Sequence, residues 1–197
     1  MNISTLTRAA GAGGLTLMLT ACMDVSMSVD VTSQTEAEAT MVTIMERDMY
    51  ELMMAQATEQ DEEFCAEGEL VETADAVECT IVQSGPFAEL SALGEEGEEP
   101  VIEAIGNGQV RVAFPTADLT ESLSEEIDPA QDAQMRAMMA SIFEGHTLNL
   151  SVSGGTIVDT NMETAADGQS ATYELSFTEL FSSDLDLPAE IYAVVQK

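Results

Sequence analysis

Residues 15–33 read LTLMLTACMDVSMSVDVTS, and the fold turns on where this run changes character. It is apolar or small up to Ala21. From Met23 to Val31 every odd position is apolar (Met23, Val25, Met27, Val29, Val31), and the even positions hold Asp24, Ser26, Ser28 and Asp30. Strand side chains point alternately to opposite faces, so this period of two predicts a half-buried β-strand. Cys22 stands at the junction with no linker on either side. A folded domain is therefore expected to begin one residue after that cysteine.

The residues before it have the zones of an export signal: a positive charge at Arg8, an uncharged stretch from Ala9 to Ala21, then small residues ahead of a cut. A membrane-spanning helix needs about 20 apolar residues, so this stretch is too short for one. Leu19–Cys22, LTAC, resembles the lipobox of bacterial lipoproteins. The resemblance implies that diacylglycerol is attached to Cys22, that residues 1–21 are removed as a signal peptide, and that the new amine is acylated. Thiolate is a strong nucleophile and suits the alkylation. On the residues alone, an ordinary signal with a chance cysteine and a buried core strand are the competing readings. Acylation makes the protein anchored, because each buried methylene contributes about 0.8 kcal/mol and more than one chain holds stably. In enterobacterial lipoproteins an Asp directly after the modified cysteine favours the inner membrane. Here Met23 holds that place and Asp24 follows, so the periplasmic face of the outer membrane is expected.

Residues 22–197 are long enough for one domain with its own core. Once Arg8 leaves with the signal, only Arg47, Arg111, Arg136 and Lys197 oppose 37 acidic residues. Such a surface repels phosphate, which excludes nucleic-acid binding. It also repels anionic headgroups, which leaves acyl chains as the expected membrane contact. The carboxylates are spread along the chain as a solvated surface would be, and no loop has calcium-ligand spacing.

With Cys22 assigned to lipid, Cys65 and Cys79 remain. An even remainder in an oxidising compartment points to a disulfide. Two buried free thiols are the alternative. No CxxC pair or adjacent His supplies ligands for a zinc site.

Along the chain, EAEATMVTIMER pairs naturally with the first strand across TSQT, and DMYELMMAQATEQ reads as a helix capped by Asp48. ECTIVQSG is a third strand, PFAELSAL a short helix, and PVIEAIGNGQVRVAFP a hairpin turning at Gly106–Gly108. Asp128 and Pro129 open the main predicted helix, residues 129–144, with Met135, Met138, Met139, Ile142 and Phe143 on one face. HTLNLSVSG, GTIVDTNM, ATYELSF and AEIYAVVQ read as strands. The expected fold is α+β: one curved, mostly antiparallel sheet packed against that helix.

The lipobox cysteine, the immediate alternating strand CMDVSMSVDVTS and the late GGTIVDTN and DGQSATYELSF are similar to lipoproteins with an LppM-type domain. That resemblance implies an α+β domain held at the cell envelope, without established catalytic residues. Such proteins often carry a further C-terminal membrane helix, and no such apolar run precedes Lys197.

Chemistry-bearing residues are few. His146 is the one histidine and follows a predicted helix end, a capping position where the dipole favours a cation. Met41, Met45, Met49 and Met53 recur every fourth residue, and soft thioethers bind Cu(I). A strand-to-helix break near Asp48 would scatter that stripe, and methionine commonly fills irregular cores. A non-enzymatic envelope lipoprotein that binds a lipid, another apolar ligand or a protein partner is the first expectation. A periplasmic copper-binding protein is the alternative.

Cys22→Ser is expected to release the protein from the membrane fraction and leave the precursor uncut. Fractionation with labelled fatty acid checks this; a labelled, membrane-bound mutant would refute the assignment.

Overall fold

The computed structural model describes residues 23–56, 64–90, 100–116, 138, 140–141, 143–180 and 186–197. The first half gives β1 (Met23–Val31), β2 (Glu36–Glu46), α1 (Arg47–Gln56), β3 (Glu69–Glu72) and β4 (Ala76–Pro86). A hairpin of β5 (Val101–Gly106) and β6 (Gln109–Pro115) follows. The last third supplies β7 (Thr147–Ser153), β8 (Thr156–Thr160), β9 (Glu163–Thr164), β10 (Ser170–Ser176), α2 (Phe177–Leu180) and β11 (Glu190–Gln196).

These strands form two sheets, not the single curved sheet expected from the sequence. The first has seven strands in the order β3-β4-β2-β1-β7-β10-β9, and the second has four in the order β5-β6-β11-β8. Every pairing is antiparallel except β1 with β7. The inner faces meet in one core. Val29, Val31, Ala37, Ala39, Val152 and Ala171 of the first sheet pack with Val110, Val112, Phe114, Ile191, Ala193 and Val195 of the second. Each sheet thus covers the apolar face that the other leaves open, as a two-layer architecture requires.

The division has a local cause at Gly154 and Gly155. Instead of turning back into a hairpin, the chain leaves β7 and enters the second sheet, where β8 pairs with β11. A Cβ on Gly154, at φ +102°, would lie 2.3 Å from the Val31 carbonyl oxygen. A Cβ on Gly155 would lie 2.5 Å from that of Gln196. The crossover squeezes between the last residues of β1 and β11, and only glycine fits.

Other expectations hold closely. The β1–β2 hairpin runs in register from Met23↔Met45 to Val31↔Ala37. The turn between β5 and β6 uses Gly106, Asn107 and Gly108, all at positive φ. The helix predicted after Asp48 is α1, which begins one residue earlier at Arg47, and the described part of PFAELSAL holds a 3₁₀ turn at Phe87–Glu89. The main predicted helix, 129–144, lies largely outside the described residues, with Met135, Met139 and Ile142 among those not described.

Gly154→Ala is expected to lower the melting temperature sharply or prevent folding, because strain and a backbone collision coincide. Gly168→Ala, at φ +68° in open space, should cost only the left-handed strain of about 1–2 kcal/mol. Parallel thermal melts of the two variants check the contrast.

Candidate functional site

The inner face of the seven-stranded sheet has two halves. Its far half lies under the second sheet and is fully buried at Val29, Val31, Ala39, Val152 and Ala171. Its near half begins at Met23, the residue after Cys22. There Met23 stands opposite Met45, Val25 opposite Thr43 and Met27 opposite Met41. On the other side, β7 sets Leu148 beside Val25 and Leu150 beside Met27, and β10 adds Tyr173 and Leu175. Met23, Val25, Met27, Met41, Leu148 and Tyr173 are only half-buried. Met45, Leu150 and Leu175 in the same half are buried, and Met27, Met41, Leu148 and Tyr173 pack against the core. The apolar face thus continues toward the cysteine with partial burial. Paired strands make this surface stiff, while thioether side chains make it adaptable in shape.

His146 lies at the same end, directly after the turn at residues 143–145, and its backbone N–H donates to the Phe143 carbonyl. Its Nδ1 is 3.2 Å from Asp24 Oδ1, and the backbone N–H of Thr147 donates to the same oxygen at 3.0 Å. Asp24 thereby ties the start of β1 to the start of β7. These residues are 122 apart in sequence, so no local pattern announces the contact. Among the described residues, no hydroxyl is hydrogen-bonded to the imidazole.

Cys65 and Cys79 are joined in a disulfide with Cα atoms 5.6 Å apart. The bridge holds the turn at residues 64–67 against β4, where Cys79 is buried. Inside this loop the sequence reading found no strand, yet β3 pairs with β4 there. All four β3 residues are exposed, which removes the alternation that reveals a strand. Cys22 lies outside the described residues.

The four-residue methionine stripe is split as expected: Met41 and Met45 lie in β2, Met49 and Met53 in α1. Folding instead brings Met41 and Met45 opposite Met27 and Met23. No group of three or more His, Cys, Asp or Glu placed to hold a metal occurs among the described residues.

A second polar cluster lies on the outer face of the four-stranded sheet. The Arg111 guanidinium stacks 4.7 Å from the Tyr192 ring centroid and pairs with Glu190. The Tyr192 hydroxyl donates to Asp159 Oδ2 at 3.3 Å. The Asp159 carboxylate is the main cause that holds this phenol above its ordinary value, with Arg111 opposing it. A phenol kept protonated is the wrong form for a nucleophile or base. The cluster reads as cross-strand bracing.

One solved structure matches the whole arrangement: the folded domain of LppM from Mycobacterium tuberculosis, determined by NMR. The likeness covers 89% of this chain and 90% of that one, with a TM-score of 0.52 and 12% identity. At that identity it establishes a shared fold, consistent with the LppM-type resemblance drawn from the sequence motifs. No protein-family model matches the chain. No curated protein matches it either.

Reducing the disulfide should cost roughly 3 kcal/mol, the chain-entropy value for a loop of about 15 residues. Urea unfolding with and without reductant measures it; an unchanged midpoint would show that the bridge adds nothing to the folded state. Asp159→Asn should bring the Tyr192 titration back toward 10.0. Ultraviolet phenolate titration, with Tyr192→Phe as the blank, reads the change. Because the folded state favours the protonated phenol, stability should fall as pH rises past that value, and less so in Asp159→Asn.

Proposed function

We propose that this chain is a non-catalytic cell-envelope lipoprotein, cut before Cys22 and anchored through acyl groups on it. In this reading, its half-buried sheet end binds an acyl chain of a neighbouring lipid. The observation that carries the reading is placement: the only inner-face residues of β1 left outside full burial, Met23, Val25 and Met27, are the first to follow the lipobox cysteine. An apolar wall of adaptable side chains next to a bilayer suits an acyl chain better than a polar ligand. The envelope location follows from the export signal and lipobox together. The outer membrane is favoured by Met23 standing where Asp would favour retention.

Mass spectrometry tests both parts on one sample. Intact mass reports diacylglycerol and acyl groups on Cys22, and native spectra report lipid held without a covalent bond. Met27→Asp should remove the second and spare the first. Wild-type protein that carries no non-covalent lipid and fails to bind a fluorescent fatty acid would sink the ligand part of the proposal.

A second reading, Cu(I) binding, is favoured by the register, which sets Met23 against Met45 and Met27 against Met41. The two pairs are four residues apart, about 13 Å along the strand, so they would act as separate two-thioether sites. Anaerobic Cu(I) titration decides it. Tight binding lost in Met27→Leu would support copper; binding no stronger than a competing chelator allows would dismiss it.

A further inference from the structure

Exposed apolar side chains are distributed unevenly along β1. The row level with Asp24 crosses the sheet as Val71, Glu78, Ile44 and Asp24 on β3, β4, β2 and β1. The next row is Leu70, Cys79, Thr43 and Val25. Val71 is 44% exposed, Ile44 38% and Leu70 39%. Beyond Met45, which pairs with Met23, the chain enters α1, and there Leu52 and Met54 are 46% and 44% exposed. Among the described residues of the seven-stranded sheet, only Val82 is a large exposed apolar side chain farther from Cys22, level with Ser28.

At about 3.3 Å per residue these rows stand roughly 7–10 Å along β1 from residue 22. β3 lies three strands to the side, so the rows reach the outer edge of a headgroup layer rather than its interior. A headgroup layer is about 5–7 Å deep on each side of the hydrocarbon. A cysteine anchored there leaves no linker by which the sheet end could stand clear of the bilayer, since β1 starts at Met23.

We propose that this end of the seven-stranded sheet is a membrane-docking surface. Ile44, Leu70, Val71, Leu52 and Met54 meet the zwitterionic headgroup layer that holds the anchor, and the four-stranded sheet faces away from it. The proposal rests on the reading of Cys22 as the anchor point. Each contact is weak alone, but tethering makes docking intramolecular, so weak contacts suffice. Glu46, Asp48, Glu51 and Glu78 lie among these apolar residues, and Arg47, the nearby cation, is engaged by Glu72 and the Thr73 carbonyl. The surface therefore suits zwitterionic lipid and is repelled by anionic lipid.

The protein has no tryptophan, so a single introduced Trp reports its own depth. Leu52→Trp, Val71→Trp and Val158→Trp, the last in β8 of the four-stranded sheet, are each purified as the full chain from bacterial membranes. They are then reconstituted in phosphatidylcholine vesicles with brominated acyl chains. Quenching and a blue shift at positions 52 and 71, with none at 158, are expected. Replacing part of the lipid with phosphatidylglycerol should lessen the quenching at low salt. Equal quenching at all three positions, or none at 52 and 71, would overturn the proposal. The mass of the same sample shows whether Cys22 carries lipid. If it does not, the anchor reading has failed, and a maleimide phospholipid is coupled to Cys22, the one thiol outside the disulfide. Quenching at 52 and 71 then sustains the docking surface by itself, and its absence overturns it.

Discussion

The double pairing of β1 is the constraint on which the molecule depends. β1 is hydrogen-bonded along its length to β2 and over Val25–Asp30 to β7. Its inner face supplies Val29 and Val31 to the shared core. The pairing with β2 is local and needs only the short Thr32–Thr35 turn. The pairing with β7 is parallel and cannot form until a chain of more than 100 residues has returned to the same end of the sheet. Closing so long a loop is entropically costly and slow. Asp24 completes the return by accepting from Thr147 and meeting His146. Asp24 is therefore the clasp of the central strand.

How much of this was legible follows from the range of each interaction. Strands with alternating burial, such as β1 and β10, announce themselves because their environment repeats every two residues. The β1–β2 and β5–β6 hairpins are legible because a turn fixes their register over a few positions. The partition into two sheets is different. β7 and β8 are adjacent in sequence and separated only by Gly154 and Gly155, which look like a turn. Their division into different sheets depends on what Gly154 and Gly155 touch, namely Val31 and Gln196 from opposite ends of the chain. The exposed β3 and the two-residue β9 have no apolar face to show. At the candidate site, the cysteine pair could be inferred by counting. The Met23–Met45 and Met27–Met41 pairs needed the register, and the clasp at Asp24 needed the whole topology.

The few cations show how the chain handles its acidity. Arg47 fastens the start of α1 to the Thr73 carbonyl at 2.8 Å and to Glu72 at 3.1 Å. Arg111 braces β6 against β11 through Glu190 and the Tyr192 ring. The Lys197 ammonium donates to the Val31 carbonyl at 2.7 Å and to that of Gly154. It thus closes the site where β1 ends and the crossover begins. All three cations are spent on the protein's own frame. Each of these three, among the described residues, is engaged within the fold.

The two ends of β1 are unlike. At the far end of β1, glycine crossovers, a lysine clasp and the second sheet seal the core. At the near end Met23, Val25, Met27 and Leu148 of the same apolar face are half-buried, Met45 and Leu175 are buried, and Ile44, Leu70 and Val71 nearby are exposed. A free-standing acidic domain gains nothing from such an end, because leaving apolar surface in water forgoes about 25 cal/mol for each Å². A domain whose first strand starts beside a lipid anchor gains from it at once, since the surface meets lipid without any loss of translational freedom beyond that of the anchor itself. On the proposed reading of Cys22 as a lipid anchor, the immediate start of β1 at Met23 and the apolar near end serve one requirement. Inserting a long polar tether between Cys22 and Met23 would leave the fold intact and remove the reason for that end to be apolar.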